Sequence, residues 1–223
     1  MNKTIAVIIH ARRQSTRCPD KHLRDLGDGN TLIDIAIDNV SKLKNVEEKY
    51  LAAFEPELIQ KAEGKIDILK REFAAVAPGN APHNIMYKHL NHVKADYIIN
   101  YNPCQPFLDI EKLQKIIDWY KETGHKSAIT VKQTRNFFWN ATDQTPVNFK
   151  PNDRLSTTSG PYLFEATHSL VMYEKQYMLE NWELFPNLIY EPYPYFTEWP
   201  DKELVDVDEE VDFELVKTLY NKR

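Results

Sequence analysis

Five basic side chains, Arg12, Arg13, Arg17, Lys21 and Arg24, fall within thirteen residues of the stretch IIHARRQSTRCPDKHLRDLG, Ile8 to Gly27. Arginine offers a planar fork for phosphate oxygens and lysine a compact point charge. Ser15 and Thr16 add hydroxyl donors. The glycine solutions are absent: there is no GxxxxGK(S/T), and no GxGxxG follows the apolar run Ile5–Ile9. A phosphate site here must rest on side chains. The second cluster lies at the other end, where Glu198 to Glu214 holds nine acidic residues and one base, Lys202. Within it, VDVDEEVDF sets Asp206 and Asp208 two apart. Alternate residues of an extended segment face one side, so both carboxylates point the same way. Such a pair suits Mg²⁺, which takes hard oxygen ligands together with substrate phosphates. Another reading stays open, in which Asp208 is the N-cap of a terminal helix and Glu209, Glu210 and Asp212 complement its dipole. Joined, the two ends describe a basic loop and a paired-aspartate metal site gripping one nucleoside triphosphate. No catalytic base emerges. His10 and His22 titrate near neutrality, but His22 reads as an exposed loop residue. Cys18 and Cys104 read as packing residues without a local histidine partner.

These clusters need elements to hold them, and the chain alternates strand and helix. Ile5–Ile9 reads as a buried strand. Thr31 to Leu43 has helical spacing, with Thr31 and Asp34 as a capping pair. Tyr50–Phe54 is a strand, Pro56 opens a helix to Ala62, and Ile66–Leu69 is a third strand. His83 to Val93 reads as a helix and Tyr97–Tyr101 as a strand. Asp109 caps a helix that Gly124 ends, and Ser127–Val131 follows as a strand. This alternation predicts an α/β fold: right-handed βαβ units and a mainly parallel sheet with helices on both faces. Ligands of such sheets bind beyond the carboxyl ends of strands. The basic loop lies at one such end and Asn102-Pro103-Cys104-Gln105 at another. From Lys132 to Ser159 the pattern breaks, and the stretch reads as a hairpin-like excursion that contacts a partner subunit or closes over the site. Tyr162–Phe164 reads as a returning strand. Asn187 to Trp199 is irregular and aromatic, and Val211, Leu215 and Leu219 share one face of a terminal helix.

The whole chain, residues 1–223, reads as a single domain carrying this projecting segment. Hydrophobic residues make up 42% and charged residues 27%, which is ordinary for a globular protein. The net charge of −5 argues against nucleic-acid binding and makes the basic loop a local feature. No apolar stretch reaches the roughly eighteen residues of a membrane span, and Met1 to Ile9 is too short for a signal peptide. Two cysteines make neither a disulfide framework nor a zinc site. The expectation is a cytoplasmic setting with no membrane partner.

The basic stretch resembles the opening signature of the CMP-acylneuraminate and CMP-KDO synthetases, an apolar strand leading into A-R-x-x-S-x-R-x-P-x-K-N. Ala11, Arg12, Ser15, Arg17, Pro19 and Lys21 match it. YIINYNPCQPFLD is similar to the family's strand followed by Q-P-T-S-P-L-R, SGPYLF to its N-G-A-I-Y-I, and LVDVDEEVDFELVKTLYNKR to its closing D-I-D-T-x-x-D-L. The four matches run in family order across nearly the whole chain. The resemblance implies a Rossmann-like cytidylyltransferase fold and a Mg²⁺-dependent reaction in which CTP and an acidic acceptor give a CMP conjugate and pyrophosphate. It also implies a homodimer whose projecting segments complete each other's sites. Carried over by position, Ala11, Arg12, Ser15, Arg17 and Lys21 belong to the nucleotide loop, and Asp206 and Asp208 match the metal-binding aspartates; Arg13, in the same basic run, is expected to bind the nucleotide with them. Arg12, Lys21 and Asp208 are the expected catalytic residues; Asn102, Gln105, Arg154 and Ser159 are the expected acceptor-binding ones. The chain departs from the family at Arg13 and Gln14, which replace glycines, at His22, which replaces an asparagine, and at Cys104-Gln105-Pro106, which replaces the Asp-Glu-Pro of the KDO branch. Rival readings are a nucleotide-sugar glycosyltransferase using a DxD, a cytidylyltransferase for a phosphonate or small phosphorylated acceptor, and a non-catalytic nucleotide-binding relative.

Overall fold

The computed structural model describes residues 3–77, 81–123, 125–150, 152–156, 158, 160–181 and 193–222. The run IAVIIH forms β1 (Ile5–His10). Helix α1 (Leu32–Lys42) opens with the expected capping box between Thr31 and Asp34. Then come β2 (Glu48–Ala53), α2 (Pro56–Ala62) with its first-turn proline, β3 (Asp67–Lys70) and α3 (Phe73–Val76). Where one helix was expected from His83 to Val93, there is a single turn, α4 (His83–Met86), followed by a 3₁₀ segment, Lys88–His92. β4 (Tyr97–Tyr101) and α5 (Ile110–Glu122) follow, the latter capped by Asp109, whose side chain accepts from Lys112 N–H. Gly124, expected to end α5, lies outside the described residues.

β5 (Ser127–Thr134) runs three residues past its expected end, and the return is far longer than expected: β6 spans Leu163–Glu174. α6 (Lys175–Asn181) and β7 (Tyr193–Phe196) were not anticipated. A 3₁₀ turn, Asp201–Leu204, leads to α7 (Glu210–Tyr220). The seven strands lie in the order β3-β2-β1-β4-β6-β5-β7. β6 alone runs antiparallel to its neighbours β4 and β5. The excursion is hairpin-like, as expected: Val131–Thr134 pairs with Leu163–Ala166, and its outer part closes through a Trp139–Pro146 bridge. Its rings pack on one another, Phe137 and Trp139 standing edge-on to Phe149 with centroids 5.4 and 4.7 Å away.

β1 is apolar throughout because both of its faces are covered. Ile5, Val7 and Ile9 pack with residues of α1 and α5, while Ala6 and Ile8 pack with Leu90, Val93 and Met178 on the other side. The terminal helix corrects one expectation. Phe213 and Val216 are its buried residues, whereas Val211 is 68% and Leu215 48% exposed. Through Phe213 and Val216, α7 seals a third cluster with Cys18, Leu26, Leu32, Cys104, Phe107 and Val207. That cluster clamps the acidic segment against both strand-end loops. Among the described residues no helix is long and apolar enough to cross a membrane.

Candidate functional site

β1 ends at His10, and the basic loop starts there. Ala11 is buried and its N–H bonds to Ala52 O at 3.2 Å, so it extends the sheet and offers no donor to a ligand. The five cations divide into two groups. Arg13 is used internally: Nε and Nη2 bind Asp20 at 2.7 and 3.3 Å, Nη1 binds Glu57 at 2.7 Å, and its backbone N–H donates to Glu55. The Asp20 carboxylate raises the Arg13 pKa. Arg24 is likewise held, forked onto Glu210 at 2.7 and 2.5 Å and lying 3.9 Å over the Phe213 ring. Both pin the loop, and the Arg13 guanidinium, expected at the nucleotide, is paired with Asp20 and Glu57. Ser15 Oγ accepts from Cys18 N–H at 3.3 Å and shapes the turn. Arg17 and Lys21 converge on Asp208 Oδ1, at 2.9 and 3.6 Å. Lys21 is 9% exposed and also donates to Val207 O. Arg12 is exposed and, among the described residues, has no anionic partner.

The second loop leaves β4 and turns at once onto the acidic segment. Asn102 Nδ2 and Gln105 Nε2 both donate to Asp206 Oδ2, at 2.8 and 3.2 Å. Val207 N–H donates to Cys104 O at 3.0 Å, and Cys104 N–H to Asn102 Oδ1 at 2.9 Å. Burial raises the Asp206 pKa; the amide of Asn102 opposes that, and the neighbouring Asp208 charge adds to it. Asp208 is not a cap. Glu209 is the N-cap of α7, in a capping box with Asp212. Thus the two aspartates lie in the segment just before the helix, joined to the basic loop through Asp208 and to the second loop through Asp206. Among the described residues, no cluster of three or more His, Cys, Asp or Glu could hold a metal. A cation here would have two protein carboxylates and must take its remaining ligands from phosphate and water, the usual Mg²⁺ arrangement. Two carboxylates beside the cations of the basic loop supply the hard oxygen donors such an ion takes, so the residues fit it.

Other expected residues fare differently. Gln105 is 2% exposed and its amide also donates to Thr167 O at 2.9 Å, so it holds Asp206 in place. Arg154 is exposed on the excursion and is not brought to the Asp206–Asp208 pair. Ser159 lies outside the described residues. His22 is buried, not exposed, and its Nε2 lies 3.5 Å from Cys104 Sγ, so Cys104 does have a histidine neighbour.

The sequence reading missed the ends of β2 and β3. Arg71 follows β3 directly, and Glu55 and Gln14 lie in the loops that leave β2 and β1. Glu55 Oε2, Arg71 Nε and Gln14 Oε1 are buried with no hydrogen-bond partner among the described residues. Each such atom costs about 1–3 kcal/mol, and three at adjacent carboxyl ends mark a surface prepared for a polar ligand. Their signal was available: a charged or amide side chain just past an apolar strand. Beside them, His10 Nε2 and His89 Nε2 are 2.9 Å apart.

Comparison with known proteins accounts for this layout. A family model described as Cytidylyltransferase matches residues 6–223. A search of curated proteins found no match. Among solved structures, a CMP:2-keto-3-deoxy-manno-octonic acid synthetase complexed with CTP superposes with a TM-score of 0.68 at 16% identity, covering 98% of this chain and 99% of that one. A 4-diphosphocytidyl-2C-methyl-D-erythritol synthase from Anaerococcus prevotii gives 0.66 at 15% identity, covering 100% and 97%. The bifunctional IspDF from Campylobacter jejuni gives 0.60 at 12% identity, over 95% of this chain and 53% of that one. These likenesses establish a shared fold, and the family match covers all but the first residues of the chain. The chain belongs to the cytidylyltransferase family, and it is a CTP-dependent nucleotidyltransferase.

Proposed function

We propose that the protein transfers CMP from CTP to an acidic acceptor, an acidic keto-sugar or a molecule of similar charge, and releases pyrophosphate. The observation that carries this reading is the division of labour at the strand ends. Arg12 has no anionic partner among the described residues, Arg17 and Lys21 converge on Asp208, and Asp206 is held by the amides of the neighbouring loop. Arg12, Arg17 and Lys21 bind the triphosphate and neutralise charge on the departing pyrophosphate. An acceptor oxygen attacks the α-phosphorus in line, a new P–O bond forms, and the bond to the β-phosphate oxygen breaks. The chain's contribution is positioning and electrostatic stabilisation of that transition state. Asp206 and Asp208 would hold Mg²⁺, which when bound supplies Lewis-acid stabilisation of the phosphate oxygens. Asn102 and Gln105 keep the Asp206 carboxylate aimed.

The acceptor class is supported by the resemblance of the basic loop to the CMP-acylneuraminate and CMP-KDO synthetases and by the CMP-keto-deoxy-octonic acid synthetase among the structural neighbours. A phosphorylated acceptor is the second reading, supported by the diphosphocytidyl-methylerythritol synthase, whose chain matches over 97% of its length. A pyrophosphate-release assay with CTP, Mg²⁺ and a panel of keto-acid sugars, phosphonates and sugar phosphates decides between them. Release with sugar phosphates alone discards the acidic-sugar reading. We further propose a homodimer formed through the excursion, whose Phe138, Trp139, Val147 and Leu155 are exposed on a hairpin-like arm. Light scattering at micromolar concentration giving a monomer mass counts against it.

A further inference from the structure

His22 and Cys104 are buried at 5% and 8% exposure, one in each of the two strand-end loops. His22 Nδ1 lies 3.0 Å from Arg12 O and Nε2 lies 3.5 Å from Cys104 Sγ. A carbonyl only accepts, so Nδ1 must carry the proton. Nε2 is then a bare acceptor and takes the Cys104 S–H. The imidazolium alternative would place a third positive charge beside Arg12 and Lys21 inside the protein. Burial opposes it and brings the His22 pKa down to about 4, while burial pushes the Cys104 thiol up to about 11. The contacts continue beyond the pair. Cys104 N–H reaches Asn102 Oδ1, and Asn102 Nδ2 reaches Asp206. Cys104 O receives Val207 N–H, and Val207 O receives Lys21 Nζ, whose neighbour in sequence is His22. The path thus closes on itself, through the triphosphate loop, the second loop and the aspartate segment.

We propose that His22, as its neutral Nδ1–H tautomer, is a positioning residue that locks the triphosphate loop to the acceptor-side loop through Cys104. Its kinetic consequence rests on the cytidylyltransferase reading; its tautomer does not. The Nδ1 bond sets the Arg12 carbonyl and so the loop that receives CTP. The Nε2 bond sets Cys104, and through it the Asn102 side chain that aims Asp206. His22 touches neither reactant.

Two measurements test this. Long-range ¹⁵N–¹H spectra of the full-length protein, with His22 assigned by its loss in His22→Asn, should show Nδ1 protonated and Nε2 bare at pH 7. The opposite tautomer or an imidazolium overturns the proposal. An asparagine amide falls near the Nδ1 position and cannot reach Cys104. His22→Asn should therefore keep CTP affinity within about twofold by calorimetry while kcat falls about tenfold, roughly the factor for one lost hydrogen bond. Cys104→Ala should lower kcat equally, and the double variant should fall no further. Additive losses, or unchanged kcat in both single variants, overturn the proposal. His22→Ala should also weaken CTP binding about tenfold; if it does not fold, the other two variants still decide. A wild-type protein that binds CTP but releases no pyrophosphate with any acceptor would refute the proposed function instead. The spectra and the CTP affinities would then judge the clamp alone.

Discussion

Arg12 and Arg13 are adjacent in sequence and opposite in role. Both were expected at the nucleotide, because a run of bases shows how much charge a loop carries and not where each side chain goes. Asp20, seven residues on, and Glu57, on another element, claim Arg13. Only folding brings Glu57 near. Arg12→Ala should therefore weaken CTP binding by about 1.5–3 kcal/mol, the range for a charge-assisted hydrogen bond, with little change in melting temperature. Calorimetry checks this, and an unchanged affinity would remove Arg12 from the site. Asp208 was ambiguous for a similar reason: an aspartate before an acidic helix start fits both a cap and a ligand. The structure gives the cap to Glu209 and leaves Asp208 half exposed, with Arg17 and Lys21 as its partners. An exposed ion pair contributes little to stability. Asp208→Asn should thus fold normally and lose turnover. Activity equal to wild type would show that the Asp208 charge is not needed in catalysis.

At the scale of elements, β1 to β4 were legible, whereas β6 was anticipated only as a short returning strand and β7 not at all. β1 through β4 are short apolar runs bounded by polar turns, and that contrast is what strand recognition uses. β6 lacks it. Its buried face carries Thr167 and Ser169, and the register of its pairing with β5 shifts between Ile129 and Val131. His168 adopts a left-handed φ of 53° there. The buried hydroxyls satisfy one another: Thr167 Oγ1 donates within 2.8 Å of Thr130 Oγ1, and Ser169 Oγ lies 3.1 Å from Thr167 Oγ1. Two buried hydroxyls inside a strand look like a loop until Thr130 of β5 is in place beside them. Thr167→Val keeps the shape and strands the Ser169 hydroxyl, while Thr130 Oγ1 keeps its bonds to the Leu170 backbone, so urea denaturation should show a loss of about 1–3 kcal/mol. A stability equal to wild type would mean that the trio contributes nothing.

For the molecule as a whole, the opening and closing signatures carried the family, since both ends of the chain meet in one place. The packing that joins them was not legible, and histidine shows why. His10, His22 and His89 look like ordinary polar residues in the sequence, yet each has its pKa lowered primarily by burial: His10 well below the usual value, His22 to about 4 and His89 to about 3. Each is neutral when folded, and each takes up a proton near pH 6.5 when unfolded. The unfolded state therefore binds more protons below pH 6.5, and stability must fall as pH falls through that range, by up to about 1.4 kcal/mol per pH unit for each histidine. Asp206, with its pKa raised, acts in the opposite direction, but only near and below its own pKa. Carboxylates held below their usual values, such as Glu47 and Asp20, add their losses only below about pH 4.5. From pH 6.5 to 4.5 the three histidines together lower stability, and Asp206 offsets at most one carboxylate's share. Urea denaturation across that range should give a steady loss, and His22→Asn should flatten the slope by about one histidine's share. A stability that holds constant from pH 7 to 4.5 would mean that these side chains are solvated, and the strand-end packing described for them would be wrong.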